Sequence, residues 1–284
     1  MSEKSAPLSP SGMTEKQKIA AAERCRRPRP WIIEAWRSGT CAQHFPGRKR
    51  VHFVRHGQGE HNKLKDEIGR IAYQDPRVLD ARLTQLGKQQ AEALQPLVEG
   101  LEVELVVVSP LSRAVETAQI GFRAHKCPFV ANELCREQCG GSHICDKRRT
   151  TAELKADFPQ IDFADLATNE DALHGNEREL LTSIADRAFK FIMWLRRRPE
   201  SNIAVVCHSQ FLVMLFNSVL QTSNPKLKSW FSVGEARSVD LLFFAAPGQG
   251  AGGAVSRLQQ CLLRQLVELQ ATNAELKRQQ QLLS

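Results

Sequence analysis

Residues 51–62 place an arginine, a histidine and a glycine directly after a short apolar run, and this feature constrains the fold most. They read Val-His-Phe-Val-Arg-His-Gly-Gln-Gly-Glu-His-Asn. The β-branched run predicts a buried strand, and open α/β sheets bind their ligands just beyond the carboxyl ends of such strands. Gly57 predicts a sharp turn away from the strand. The guanidinium of Arg55 can hold phosphoryl oxygens in pairs, and a neutral imidazole at His56 can attack phosphorus.

Two further predicted strands end in side chains of the same kind. Residues 202–207 form an apolar run that is followed by His208, and residues 104–108 are followed by Ser109 and, one helical turn later, Arg113. Because parallel strands bring their carboxyl ends to one edge of a sheet, these residues are expected to meet near His56. Two histidines and two arginines at one edge indicate a site for a phosphoryl group.

Strand-like and helix-like segments alternate along the chain. The predicted strands are 51–55, 104–108, 128–132, 202–206 and 238–245, and the main predicted helices are 84–99, 111–121, 177–197 and 210–220. This alternation is typical of the α/β class. It predicts a three-layer α/β/α sandwich with a mostly parallel open sheet and a C-terminal helical tail. The last strand is expected at or near a sheet edge.

Four ordered motifs resemble the histidine phosphatase superfamily, the phosphoglycerate-mutase-like family. They are RHG with a following asparagine at 55–62, LTxxGxxQA at 83–91, SPLxRAxxTA at 109–118, and the second strand-terminal histidine at 208. The resemblance runs from about Val51 to Phe244. It implies an enzyme that needs no metal or cofactor and acts on a small phosphorylated metabolite through a phosphohistidine.

The resemblance also implies a role for each site residue. His56 corresponds to the nucleophile, and His208 belongs with it in the catalytic centre. The residues that bind the phosphoryl oxygens are Arg55, Asn62, Arg113 and His208. Residues 132–137, Asn-Glu-Leu-Cys-Arg-Glu, resemble the family's ELRE segment, which makes Glu137 the acid that protonates the leaving group. Glu133 stays open as the alternative, because Cys135 is an extra residue within this segment.

A basic stretch, residues 140–149, follows the predicted acid. It resembles the insertion that family members place over the site, so Lys147 and Arg148 are predicted to bind a second anionic group of the substrate. The alternative interpretation is an exposed loop whose charges face solvent.

Other phosphate chemistries and cofactor sites lack their motifs. None of the eight cysteines has an arginine six residues later, and the chain has no HExxH or Walker sequence. A zinc site from Cys135, Cys139, His143 and Cys145 remains open, although the spacing fits no common finger. The GxGxxG at 248–253 leaves too few residues after it for a dinucleotide fold.

Charge divides the chain into segments. Residues 1–50 carry 11 Lys and Arg against 4 Asp and Glu, a balance of +7, while the remaining 28 and 27 give +1. We therefore predict a basic N-terminal arm (1–48), flexible or docked on the surface, before a nearly neutral catalytic domain (49–246). Nucleic acid is not the expected partner. The alternative for the basic arm is a weak tether to an anionic surface or to nucleic acid.

A glycine-rich linker (247–254) and an amphipathic helix (255–284) follow the predicted domain. Five apolar residues recur every seven positions: Val255, Leu262, Leu269, Leu276 and Leu283. With Asn273 in the same seam, the pattern is typical of a two-stranded coiled coil. It allows a homodimer through residues 255–284, and packing onto the domain or a partner is the alternative.

No apolar run approaches eighteen residues, so no membrane span is predicted. The N-terminus lacks a secretory apolar core, and the scattered cysteines fit a reducing compartment. A cytoplasmic location is the expectation.

Together these features predict a metal-independent phosphatase acting on a small phosphomonoester. A phosphoglycerate-mutase-type phosphotransferase is the first alternative. A weakly active interaction protein assembled through its C-terminal helix is the second.

Overall fold

The computed structural model describes residues 13–37, 45 and 47–246, and within them one mixed sheet forms the centre of the fold. Its strands are β1 (Trp31–Arg37), β2 (Lys49–Arg55), β3 (Leu105–Val108), β4 (Phe129–Ala131), β5 (Asn202–Cys207) and β6 (Ala236–Ala245). They lie in the order β1-β6-β2-β5-β3-β4. β2, β5, β3 and β4 run parallel, whereas β6 is antiparallel to both of its neighbours.

Helices connect these strands. They are α1 (Glu15–Arg24), α2 (Glu60–Ile68), α3 (Gln85–Glu92), α4 (Gln95–Val98), α5 (Ser112–Gly121), α6 (Thr151–Asp157), α7 (Leu181–Arg197), α8 (Ser209–Met214) and α9 (Pro225–Lys228). Short 3₁₀ turns lie at Gly69–Gln74, Pro76–Val78, Glu133–Cys135 and Ile144–Asp146, and a π turn at Leu215–Val219 continues α8. In the described ranges no helix is both long and apolar enough to cross a membrane.

Apolar side chains cover both faces of the sheet because successive residues of a strand point to opposite sides. Phe53 packs on the face covered by α1, α7 and α8. Its neighbour Val54 packs on the other face, with α4, α5 and α6. The predicted α/β fold, with helices on both sides of an open sheet, is thereby confirmed.

Part of the predicted N-terminal arm is itself a strand of the sheet. The apolar segment that precedes the domain forms β1 and pairs with β6 from Trp31 opposite Ala245 to Arg37 opposite Val239. β6 is therefore the second strand from the edge. The boundaries that the sequence analysis drew between arm and domain stay a prediction. The linker (247–254) and the heptad helix (255–284) lie outside the described residues.

Several helices differ in extent from the prediction. The predicted helix 84–99 divides into α3 and α4, because Pro96 cannot donate a backbone hydrogen bond and sits in the first turn of a new helix. The helix predicted over 177–197 starts only at Leu181. Glu179 precedes this helix, and its carboxylate forms an ion pair with Arg187 of the helix at 2.7 Å. This contact holds the preceding loop against α7.

Two glycines touch where β2 leads into the site. Gly57 and Gly87 lie so close that a Cβ on either would fall well inside 3.0 Å of a main-chain oxygen. Neither has a positive φ. Gly57 is therefore needed for close approach to α3, and not for the turn that the sequence predicted. Its amide donates to Thr117 Oγ1 at 3.0 Å.

We expect Gly87→Ala to destabilise the protein, because the new methyl group would collide with the main-chain carbonyl of Gln58. Overpacking of this kind costs about 1–3 kcal/mol of unfolding free energy. Urea unfolding measures the loss. Gly100→Ala is the control, because a Cβ there meets nothing within 4 Å. Equal stability of the two variants would contradict the expectation.

Candidate active site

A cavity of about 470 Å³ opens at the carboxyl ends of the parallel strands. This volume lies in the range of small-molecule sites. The predicted site residues in its lining are Arg55, His56, Asn62, Arg113 and Glu137. His208 lies immediately behind them, fully buried, with its ring centroid 5.0 Å from that of His56. The structure therefore brings six of the eight predicted residues together.

The hydrogen bonds of His56 define its tautomer. Its Nδ1 lies 2.6 Å from the carbonyl oxygen of Gly57, and Arg113 Nε lies 3.3 Å from its Nε2. An arginine N–H can only donate, so Nε2 is the acceptor and Nδ1 carries the proton. The unprotonated nitrogen of His56 therefore faces the arginine cluster, which is the orientation that a nucleophile needs.

The surroundings of His56 keep it neutral. Burial lowers the pKa of its imidazole well below the usual value, and the positive charges of Arg113 and Arg55 lower it further. The bond to the Gly57 carbonyl opposes this shift without cancelling it. A neutral ring with a free lone pair can attack phosphorus, whereas a protonated one cannot.

His208 is held by a different contact. Its Nε2 lies 2.7 Å from Ser109 Oγ at the end of β3, while its Nδ1 has no partner within the described ranges. Burial and the charge of Arg113 lower the pKa of His208 well below its usual value. The protein alone therefore favours the neutral ring. Protonation of His208 requires the negative charge of a bound phosphoryl group.

Arg113 is fixed by acceptors that the sequence did not reveal. The two terminal nitrogens of its guanidinium donate to the Cys145 carbonyl at 2.6 Å and to Asp146 Oδ1 at 2.9 Å. Asp146 is buried and also pairs with Arg178 at 3.0 Å. Burial alone would raise the pKa of Asp146, but Arg178 and Arg113 outweigh it and lower that pKa. Asp146, the one acid in the basic stretch 140–149, thus positions Arg113.

The other predicted phosphate ligands are partly engaged. Arg55 donates one N–H to the Phe231 carbonyl at 2.7 Å, and its Nε has no partner in the described part of the chain. Asn62 accepts from the amide of Gly59 at 3.0 Å through its side-chain oxygen, which caps α2. Arg55 thus retains donors for an anion.

The two candidate acids occupy different environments. Glu137 lines the cavity, where Oε2 accepts from Ser209 Oγ and from the Gln210 amide, each at 3.3 Å. Glu133 lies outside the lining and pairs with Arg136 at 3.0 Å and Arg148 at 2.7 Å. A group that protonates the leaving oxygen must face the cavity, and Glu133 does not line it. The geometry therefore favours Glu137.

The structure does not bring the two predicted substrate cations to the cavity. Lys147 is exposed outside its lining. Arg148 is buried, and its guanidinium donates to Glu133 and to main-chain carbonyls of residues 168–170. A buried guanidinium needs such acceptors, so Arg148 braces the loop and has no donor facing the cavity.

The same part of the chain matches a known family. Residues 51–243, more than half of the chain, match the sequence model of the Histidine phosphatase superfamily (branch 1). The chain belongs to this superfamily. The predicted family and the assignment as an enzyme are confirmed.

Relatives of the chain include a phosphoglycerate mutase-like protein of Arabidopsis thaliana, 37% identical over 65% of this chain and 80% of the relative. A glucosyl-3-phosphoglycerate phosphatase of Mycobacterium tuberculosis is 28% identical over 70% of this chain and 88% of the relative. Among solved structures, the alpha-ribazole phosphatase of Shigella flexneri aligns with a TM-score of 0.46 and 20% identity, covering 66% of this chain and 89% of that one.

The cavity also contains residues that the sequence motifs did not indicate. They are the cations Lys18, Lys65, Arg70 and Arg178, together with Tyr73 and His143. His61 also lines the cavity, where it is buried with its ring centroid 5.8 Å from that of His56. No motif marks Lys18, which comes from the predicted arm.

Within residues 13–37, 45 and 47–246, no group of three or more His, Cys, Asp or Glu side chains is arranged to hold a metal ion. Two cysteines of the zinc site that the sequence left open donate to carbonyls instead, Cys135 to Asn132 and Cys139 to Leu173. The phosphoryl charge in this cavity would be met by arginine and histidine.

We expect the protein to lose stability as the pH falls from 7 to 5.5. The pKa values of His56, His61 and His208 are all lowered by burial. An unperturbed histidine has a pKa of about 6.5. Below that pH these three histidines therefore bind protons in the unfolded chain but not in the folded one. Each histidine then removes up to about 1.4 kcal/mol of unfolding free energy per pH unit. Urea unfolding across this range measures the slope, and a flat or inverted slope would contradict it.

Proposed function

We propose that this chain is a metal-independent phosphatase that hydrolyses a small phosphomonoester through a phosphohistidine at His56. The observation that carries the proposal is the arrangement around His56 Nε2: an unprotonated nitrogen in a neutral ring, beside Arg55 and Arg113. Phosphoryl transfer depends on positioning and on charge stabilisation at the equatorial oxygens. This cluster offers both.

In the first step, Nε2 of His56 bonds to phosphorus as the bond from phosphorus to the alcohol oxygen breaks. Arg55, Arg113 and a protonated His208 bind the three other oxygens. The departing oxygen takes a proton from the carboxyl group of Glu137. The Nδ1–H of His56 keeps its bond to the Gly57 carbonyl, which stabilises the positive charge that develops on the ring.

In the second step, water attacks the phosphohistidine and releases inorganic phosphate. The carboxylate of Glu137 takes a proton from this water, and Nε2 of His56 regains its lone pair. Ser209 and the Gln210 amide hold Glu137 in place for both transfers.

A mutase would share the first step and differ in the second, where a substrate hydroxyl replaces water. One relative is named as mutase-like and another as a phosphatase. Release of phosphate and formation of an isomeric phosphoester therefore distinguish the two activities. We test both with a panel of phosphorylated metabolites, with and without a bisphosphate primer, followed by phosphorus NMR.

We expect turnover of p-nitrophenyl phosphate to persist in excess chelator, because arginine and histidine carry out the role that a metal ion would have. A labelled phosphate donor should leave an acid-labile, base-stable label on the chain. Phosphate release measures turnover, and gel autoradiography after acid or base treatment measures the label. Loss of activity with chelator and its return with one divalent ion would refute the proposal.

A cytoplasmic location and a homodimer through residues 255–284 also stay predictions. Those residues lie outside the described ranges, and the catalytic proposal depends on neither.

A further inference from the structure

One wall of the cavity comes from a segment outside the family match. That match begins at residue 51, yet Met13, Thr14, Glu15 and Lys18 line the cavity. Thr14 caps α1 through a reciprocal pair of bonds with Gln17, so the helix begins at the cavity. The arm therefore contributes to the site as well as to the edge of the sheet.

Packing fixes the position of α1. Ala21 and Ala22 are buried, and Ser218 Oγ donates to the Ala22 carbonyl at 2.6 Å. Just beyond the helix, Arg26 donates to the carbonyls of Asn217 and Leu220, at 2.9 and 2.8 Å. These contacts join α1 to the π turn that continues α8 and to the residue after it, so Lys18 is held in the cavity wall.

The ammonium group of Lys18 has no acceptor of its own. It lies 4.9 Å from the centre of the Trp230 ring, and the described residues give it neither a hydrogen bond nor an ion pair. Burial lowers the pKa of Lys18, and the charges of Arg70, Arg178 and Arg55 act in the same direction, against that of Glu137. A half-buried cation among other cations favours an anionic ligand.

Three cations converge near His143, on the cavity wall. Arg178, Arg70 and Lys18 each act with burial to lower the pKa of His143, to about 4. The carboxylate of Asp146 forms an ion pair with Arg178 at 3.0 Å and so balances its charge. Arg70 and Lys18 have no ion pair within the described ranges. We call Lys18, Arg70 and Arg178 the distal cluster. Two acids, Glu15 and Asp66, also line the cavity. They do not neutralise the three cations of the distal cluster, because Asp66 is paired with Lys65 at 2.7 Å.

We propose that the distal cluster binds a second anionic group of the substrate, and that Lys18 is a specificity-determining residue supplied by the N-terminal helix. The substrate class is then a phosphomonoester with a carboxylate or a second phosphate beyond the scissile one. This inference rests on the proposed function, because it takes the scissile phosphate to lie at His56. The binding of a second anionic group, predicted from the sequence for Lys147 and Arg148, is thereby assigned to cations that line the cavity.

Two probes of the same size test it. 3-Phosphoglycerate and glycerol 3-phosphate share a three-carbon skeleton and a phosphomonoester, but only the first has a carboxylate. Calorimetry gives both dissociation constants in a full-length chain that carries His56→Ala, so turnover does not interfere. We expect a preference of about tenfold for 3-phosphoglycerate, as one charge-assisted contact provides. Lys18→Met should reduce it to about twofold, and Lys18→Arg should restore it.

Lys16→Met is the matched control, because Lys16 is an exposed residue of the same helix outside the cavity lining. It should keep the preference. Thermal melting shows whether each variant is folded, and methionine retains the apolar stem beside Trp230. Equal affinity of the two probes with Lys18 present, or a preference unchanged in Lys18→Met, would overturn the inference. Turnover of p-nitrophenyl phosphate, which has no second anion, tests the proposed function separately.

Discussion

Turnover of p-nitrophenyl phosphate is expected to fall by about 10⁴-fold or more when His56 is replaced by alanine, as for other nucleophiles. The phosphoryl label should disappear with it. His208 is less well placed for attack, because its Nε2 lies 2.7 Å from Ser109 Oγ. Single-turnover kinetics and label incorporation measure the two losses.

His125→Ala is the control for the loss of a histidine. This side chain lies outside the cavity lining, and its Nε2 contacts the Leu101 carbonyl at 3.1 Å. Its removal should leave both turnover and label in place. If the His56 variant kept activity within tenfold of the parent, the nucleophile would have to be reassigned. His61, whose Nδ1 has no partner in the described ranges, would be the next residue to replace.

Replacing Glu137 by glutamine is expected to slow the hydrolysis of alkyl phosphates by about 10²–10⁴-fold, the usual contribution of a general acid. The loss on p-nitrophenyl phosphate should be far smaller in the first step, because nitrophenolate departs without a proton. Rapid-quench measurement of the phosphoenzyme separates this step from hydrolysis. The ratio of the two losses is the diagnostic quantity.

Glu133→Gln supplies the matched comparison. That carboxylate pairs with Arg136 and Arg148, whose side chains are almost completely buried. Removing its charge should lower stability, since breaking a buried ion pair costs about 3–5 kcal/mol. It should not change the dependence on the leaving group. Equal losses on both substrates in Glu137→Gln would move the acid to another residue.

The sequence could predict the centre of the site because its residues are fixed by local chain geometry. Arg55 is the last residue of β2 and His56 follows it, and Arg113 lies in the first turn of α5. Parallel pairing of β2, β5 and β3 then brings those strand ends together. Local patterns and one rule of sheet topology are sufficient for this part.

The rim could not be predicted in the same way. Whether a cation in residues 140–149 faces the cavity depends on acceptors from elsewhere in the chain. Carbonyls of residues 168–170 draw Arg148 away, and Asp146 is buried because Arg113 and Arg178 approach it from two sides. Lys18 reaches the cavity through contacts nearly 200 residues apart in sequence, such as Ser218 with Ala22. Periodicity carries no information about such contacts.

The pairing of β1 with β6 matters for how the enzyme can be shortened. A fragment cut at residue 51, where the family match begins, would lack β1 and leave the backbone of β6 unpaired along seven registered positions. An open strand edge with buried apolar residues such as Val239 and Leu241 is a template for pairing with other chains. The same cut would remove the helix that holds Lys18. The minimal family unit would therefore be both prone to aggregation and altered in substrate preference.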